Sequence, residues 1–197
     1  MSEIVFREED HTYWLDGAQL PSVTSLLKPI VTAGGSEETR DFKRQIGKAL
    51  DTAITLNERN DLDVDSLDEA VLPFFQAWLK FKAESGFRVL VNQLVVYSRK
   101  LRYAGTLDLL GTRNPGTATP DELIDTKCTW AIDPATGPQT AAYSMAAAES
   151  HGLKVKRRGA VQLLRDATYR YYQFSDLNDA NVFRALLSIH SWKALQK

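Results

Sequence analysis

Three runs of apolar and β-branched residues follow one another through the middle of the chain: "FRVLVNQLVVYS" (87–98), "LRYAGTLDLLG" (101–111) and "ELIDTKCTW" (122–130). Such residues suit the pleated, half-buried surface of a strand. The Gly/Pro/Thr-rich interruption "TRNPGTATPDE" is short enough to be a loop between two of them. Three strand candidates in succession commit this part of the chain to a sheet, and the segments on either side then decide the fold class.

Helical patterns flank the three runs. In "ETRDFKRQIGKALDTAITLNERN", Phe42, Ile46, Ala49, Ala53 and Leu56 recur at helical spacing, with Asp51 near the edge of that stripe. The segment "DSLDEAVLPFFQAWLKFKAESG" places Ser66 and Glu69 at capping-box spacing and Phe74, Phe75, Trp78, Leu79 and Lys82 in register up to Gly86. Pro73 inside it predicts a fresh helix start or a kink, because proline lacks a backbone donor and clashes with the preceding turn. After the strands, "PQTAAYSMAAAESHG" reads as an alanine-rich helix ending at Gly152. "RRGAVQLLRD" and "TYRYYQF" read as a hairpin, and Val182, Leu186 and Ile189 mark a closing amphipathic helix.

At the start, "IVFREEDHTYWLDGAQLPSVTSLL" predicts two short strands about the turn "LDGA", then a short helix capped by Ser22 or Thr24 and ending at Pro29. The mixed order gives an α/β (α+β mixed) class with a central mixed β-sheet flanked by helices. An N-terminal β-hairpin precedes this core, and a hairpin plus helix closes it. No repeat or linker divides the chain, so residues 1–197 are expected to form a single domain.

An apolar content of 44% with 25% charged residues fits a globular protein rather than a disordered or membrane-spanning one. "MSEIVFREED" carries acids where a signal peptide would be basic and then apolar, which predicts a cytoplasmic protein. The single cysteine, Cys128, cannot form an internal disulfide and reads as a packing residue. His11, His151 and His190 are scattered without ligand spacing. A formal net charge of −1 argues against a polycation that coats nucleic acid indiscriminately, while leaving room for a local basic groove. Basic residues cluster at Lys43, Arg44 and Lys48, at Arg99, Lys100 and Arg102, and at Lys154, Lys156, Arg157 and Arg158.

The chemistry concentrates on two of the strand candidates. Side chains alternate along a strand, so Asp125 and Lys127 project from one face, and Ile124, Thr126 and Cys128 from the other. Either that face is wet and the pair is ordinary surface charge, or it lines a cleft where a carboxylate and an ammonium work together. Asp108, alone among Leu107, Leu109 and Leu110, bears on the choice, because a buried carboxylate is costly unless a cation or hydrogen bonds answer it. Two aspartates suffice for magnesium, a hard ion held by one or two carboxylates plus substrate phosphate.

"GTLD", then "LIDTK", then "QTAAY", in that order, resemble the PD-(D/E)XK nuclease superfamily in its RecB-like and phage exonuclease branch. The flanking "HTYWLDGAQLPSVTSLL", "LPFFQAWLKFKAESGF" and "RRGAVQLL … YRYYQF" are similar to blocks of phage-encoded members. The resemblance implies a restriction-endonuclease-like core and a metal-dependent DNA nuclease, an exonuclease of the phage recombination or repair kind. It assigns Asp108 and Asp125 as metal ligands with the Thr126 carbonyl, Lys127 as the catalytic lysine, and Gln139 and Tyr143 to the helix beside the site. Mg2+ is the implied ion, with Mn2+ admitted. DNA is the implied partner, and a recombination protein and homo-oligomers are compatible with the branch. Arg99, Lys100, Arg102, Lys156, Arg157 and Arg158 are the candidate phosphate contacts.

Two positions depart from the pattern. Asp51 stands where many relatives carry a metal-binding histidine, a swap that favours a harder ion if its carboxylate reaches the site. Gln93 stands where relatives often carry a glutamate, and an amide brings no charge to a second ion. The alternative reading is therefore a catalytically weakened DNA-binding or assembly module that keeps the nuclease fold.

Overall fold

The computed structural model describes residues 4–32 and 37–196. The three middle runs are strands: β4 (Arg88–Ser98), β5 (Tyr103–Thr112) and β6 (Glu122–Lys127). A small sheet precedes them, made of β1 (Val5–Arg7), β2 (Thr12–Leu15) and β3 (Ala18–Leu20), all antiparallel. The expected hairpin about "LDGA" is β2–β3, whose two turn residues Asp16 and Gly17 both take positive φ, as a tight primed turn requires. The third strand, β1, extends the two that the sequence predicted.

The main sheet runs β4-β5-β6-β7-β8, with β7 (Arg157–Leu163) and β8 (Tyr169–Phe174) supplying the predicted hairpin. Its one parallel pair is β6 with β7. Parallel neighbours need a long crossover, and α4 (Thr136–His151) provides it. The architecture is thus the expected mixed α/β: a five-stranded mixed sheet flanked by helices, with a second small sheet.

Each face of the sheet is covered by different helices. On one side α1 (Val23–Leu27), α4 and α5 (Asn178–Ala194) bury Leu107, Leu110 and Leu123. On the other, α2 (Glu37–Glu58) and α3 (Leu72–Ser85) bury Leu109, Ile124 and Val161. Burying Leu-sized side chains contributes about 1.5–3 kcal/mol each, so both layers matter to stability. α4 is alanine-rich so that it can lie close to the strands. A Cβ on Gly105 of β5 would sit 2.7 Å from the Tyr143 ring of α4.

Three local expectations are corrected. Ser66 and Glu69 form no capping box: Val64–Ser66 is a turn of 3-10 helix, and α3 starts afresh with Pro73 in its first turn, where the missing donor costs nothing. On α2 the buried stripe is Ile46, Leu50, Ala53 and Ile54, while Phe42 and Ala49 are exposed. On α5, Phe183, Leu186 and Leu187 face the core, and Val182 and Ile189 face outward. Ser22, rather than Thr24, caps α1: its hydroxyl accepts from the Ser25 amide at 3.1 Å. No helix is long and apolar enough to cross a membrane among the described residues.

Candidate active site

The site forms where β5 and β6 part. Their pairing stops at Leu109↔Ile124, so Asp108 and Asp125 lie just past the last ladder pair. There a side chain replaces the ladder: the Thr126 amide donates to Asp108 Oδ2 at 2.9 Å, and the Thr126 hydroxyl donates to the same oxygen at 3.2 Å. Asp108 is aimed by an irregularity it shares with β4. The pairs Asn92↔Leu109 and Leu94↔Leu107 bracket Gln93 and Asp108, and Gln93 adopts φ +48°. In a regular strand Leu107 and Leu109 would share a face, yet they join opposite cores, so the alternation switches at Asp108. A non-glycine residue in the left-handed region costs free energy, and such strain collects at functional sites.

Asp125 and Lys127 do share a face, and it is not a wet one. The Asp125 side chain is 2% exposed, and Lys127 Nζ lies 2.6 Å from its Oδ2. At that distance the ammonium answers the charge of the buried carboxylate directly. Lys127 also donates to Gln139 Oε1 at 3.2 Å, and Gln139 Nε2 donates to the Tyr143 hydroxyl at 3.4 Å. Gln139 and Tyr143 are one helical turn apart on α4, which is why both reach the same point.

From the opposite layer, α2 delivers Asp51. Its carboxylate accepts from the Thr126 hydroxyl at 3.4 Å, and the helix is tied to β4 by Asn92 donating to Thr55 at 3.0 Å. All the predicted core residues, Asp51, Asp108, Asp125, Thr126, Lys127, Gln139 and Tyr143, line one cavity of about 360 Å³, and Gln93 lines it too.

Crowding sets the protonation of this cavity. Burial, then the neighbouring Asp125 carboxylate, pushes Asp51 up to about 6. Burial, then Asp125 and Asp51, raises Asp108 well above the usual carboxylate range. For Lys127, burial alone would favour the neutral amine, but Asp125 and Asp108 more than offset it and hold the ammonium charged. Burial also raises Tyr143, so its hydroxyl stays protonated. Cys128, pushed up to about 12 by burial and then by Asp51, is a protonated thiol packed against the α2–α3 core and no nucleophile.

The basic residues are distributed differently from the sequence expectation. Arg157 and Arg158 sit at the start of β7, whereas the site lies at the end of its parallel neighbour β6. Arg157 contacts Asp121 and the fully buried Glu122, and Arg158 pairs with Asp179 at 3.0 Å while donating to the Gly137 carbonyl. These guanidiniums are engaged in holding the fold. Lys156 is exposed at that same far end. Arg99, Lys100 and Arg102 lie at the β4–β5 turn, where Arg99 pairs with Asp16 and the Lys100 amide donates to Glu149. None of the six lines the cavity.

Besides Lys127, the cavity is lined by Arg44 and Lys48 of α2, Arg44 also pairing with Asp41 at 2.8 Å on its own helix. Their sequence signal is helical spacing: 44, 48 and 51 fall on one face, opposite the buried stripe. Also present are His11, Tyr13 and Thr106, with the Tyr13 hydroxyl 2.9 Å from Thr106 Oγ1 and 3.3 Å from His11 Nε2. That trio was not legible, because it joins the small sheet to β5 across more than ninety residues.

No protein-family model matches the chain, and no curated protein matches it. Among solved structures it is similar to the crystal structure of an alkaline exonuclease (LHK-Exo) from Laribacter hongkongensis. The alignment covers 90% of this chain and 94% of that one at 12% identity, with a TM-score of 0.38. At that level of superposition the site has to be read from its own geometry.

The donor set suits a hard divalent cation. The charged oxygens come from Asp51, Asp108 and Asp125, with no sulfur or imidazole engaged at the Thr126 bridge. Among the described residues, no three His, Cys, Asp or Glu side chains are gathered into a ready-made ligand cluster. What the cavity offers is acids bridged by Thr126, and a buried carboxylate answered by the Lys127 ammonium. That fits an ion which completes its shell with water and substrate oxygens.

Proposed function

We propose that the protein is a metal-dependent DNA nuclease that hydrolyses phosphodiester bonds, acting as an exonuclease of the phage recombination or repair kind. The observation that carries this reading is the ion pair of Lys127 with the nearly dry Asp125 carboxylate, set in a cavity shared with Asp108 and Asp51. A surface ion pair would have no reason to be buried beside two further carboxylates whose charges oppose it.

Asp108 and Asp125, with Asp51 and the Thr126 carbonyl beside them, would hold Mg2+, with Mn2+ as a substitute. Bound there, the ion supplies Lewis-acid activation of water and neutralisation of phosphate charge. The chain's own residues do the rest. Thr126 fixes the Asp108 carboxylate through its amide and hydroxyl, so the ligand is placed before substrate arrives. Lys127, kept cationic by Asp125, offers a proton donor and a positive charge to the oxygen that gains charge in the transition state. Gln139 orients that ammonium and is itself held by Tyr143. Arg44 and Lys48 at the cavity attract the phosphate backbone without reading sequence.

The test is incubation of linear and circular DNA, labelled separately at each end, with Mg2+, Mn2+ or a chelator. The reading requires metal-dependent shortening of linear DNA that Lys127→Ala abolishes. Gln93, an uncharged residue in the cavity, favours a second reading, a DNA-binding module that retains the fold. Such a module would retain DNA without shortening it, and Lys127→Ala would change little.

A further inference from the structure

A larger hollow lies beside the carboxylate cavity and shares two walls with it. On α2, Phe42, Lys43 and Ile46 face this groove of about 660 Å³, while Arg44, Lys48 and Asp51 face the cavity. At the end of β6, Asp125 to Lys127 face the cavity, and the next three residues, Cys128, Thr129 and Trp130, face the groove. The two hollows thus adjoin the same helix and the same strand end, which sets the groove next to the candidate phosphodiester site.

The groove is built in two parts. Its floor is apolar, formed by Ile46, Phe74 and Leu163. Its rim carries Lys43, Arg165 and Arg170 against Glu69 and Asp166, and Asp166 is already engaged by the Thr168 amide and hydroxyl at 3.0 and 2.6 Å. Over the edge stands Trp130, an indole left 84% exposed. Its loop is nonetheless anchored. Gln162 donates to the Thr129 carbonyl at 2.7 Å while accepting from the Tyr172 hydroxyl at 3.1 Å, and Thr32 binds Asp133 through both amide and hydroxyl.

An exposed aromatic on a pinned loop, above an apolar floor and beside guanidiniums, is the chemistry that stacks a base and meets its phosphate. Its volume falls in the range of sites that enclose small organic groups. We propose that this groove is a nucleobase subsite, taking unpaired bases of the strand whose phosphate lies at the carboxylate cavity. The substrate class is then single-stranded or frayed DNA ends. This rests on the nuclease reading for its choice of strand, but the groove's affinity for bases does not depend on cleavage.

The experiment measures fluorescence anisotropy of a labelled short oligothymidylate and of a labelled closed hairpin duplex, both in chelator so that nothing is cut. Trp130→Ala should weaken oligothymidylate binding about tenfold, Trp130→Phe should stay within about threefold of the parent, and hairpin binding should barely move. Melting of each variant controls for folding, which an exposed side chain does not govern. Unchanged oligothymidylate binding by Trp130→Ala, or an equal loss on the hairpin, overturns the subsite. If the parent cuts DNA with Mg2+ and Trp130→Ala binds as the parent does, the nuclease reading survives alone. If the parent cuts nothing and the Trp130 dependence persists, the subsite survives alone.

Discussion

Thr126 holds Asp108 with two hydrogen bonds to a single oxygen, one from its amide at 2.9 Å and one from its hydroxyl at 3.2 Å. The same hydroxyl lies 3.4 Å from Asp51, so one threonine spaces acids arriving from β5 and α2. Thr126→Val keeps the amide bond and the fold but removes the hydroxyl. Losing one or two charge-assisted bonds costs about 1–2 kcal/mol, which should weaken Mg2+ binding roughly 5- to 30-fold by calorimetry. Thr126→Ser should recover most of it.

Lys127→Ala removes the ammonium paired with a nearly dry carboxylate. Metal-dependent cleavage should fall by about 10²-fold or more, as when a donor to developing charge is deleted. Stability should also drop, by on the order of 2 kcal/mol in urea denaturation. That is below the range for fully buried pairs, because the Lys127 side chain is 25% exposed. DNA binding in chelator should persist.

The crowded acids make the metal-free protein sensitive to pH. Asp51 is raised to about 6 and Asp108 is raised as well, so the folded state holds protons that the unfolded state has already lost. Their contribution to stability is therefore fully present below the ordinary carboxylate value near 3.8 and is lost as pH climbs through about 6. Thermal melting in chelator at pH 4.5 and 8 reads this slope, once the other carboxylates are controlled for with Asp108→Asn. That variant should be more stable than the parent in chelator at pH 8, and Mg2+ should raise its melting temperature less than the parent's.

Arg158 and Arg44 separate a guanidinium that ties two elements together from one at the cavity, paired locally with Asp41 on its own helix. Arg158→Ala breaks the contacts to Asp179 and Gly137 and should cost about 1–3 kcal/mol of stability with less than twofold change in DNA affinity. Arg44→Ala, on an exposed helix face, should leave stability within about 0.5 kcal/mol. It should weaken binding across all sequences and lower the salt slope by about one.

Gly105→Ala tests the packing behind the lysine. The added methyl would meet the Tyr143 ring at 2.7 Å and Val23 at 3.3 Å. Overpacking of this kind costs about 1–3 kcal/mol. Because Tyr143 holds Gln139 and Gln139 holds Lys127, the rate at saturating DNA should drop while binding in chelator changes little.

The sequence by itself determined the order of elements, a local pattern, and the resemblance carried by its ordered motifs named the residues that the fold gathers at the carboxylate cavity. Alternation put Asp125 and Lys127 on one face, while Gln139 and Tyr143 were named by the resemblance. The sequence also predicted the turn at Asp16 and Gly17 and, at Pro73, a fresh helix start or a kink, of which the structure shows the first. Tertiary structure alone decided which charges reach the cavity. Arg157 and Arg158 look like phosphate ligands in a linear reading, yet Glu122 and Asp179, brought to them by sheet pairing and by α5, claim them. Arg44 and Lys48 gain their place only when α2 packs across the open end of β5 and β6. Burial shows the same division. Alternation could place Asp125 but not exclude water from it, since desolvation depends on helices that arrive from both sides of the sheet, and a local pattern carries no information about what will cover it.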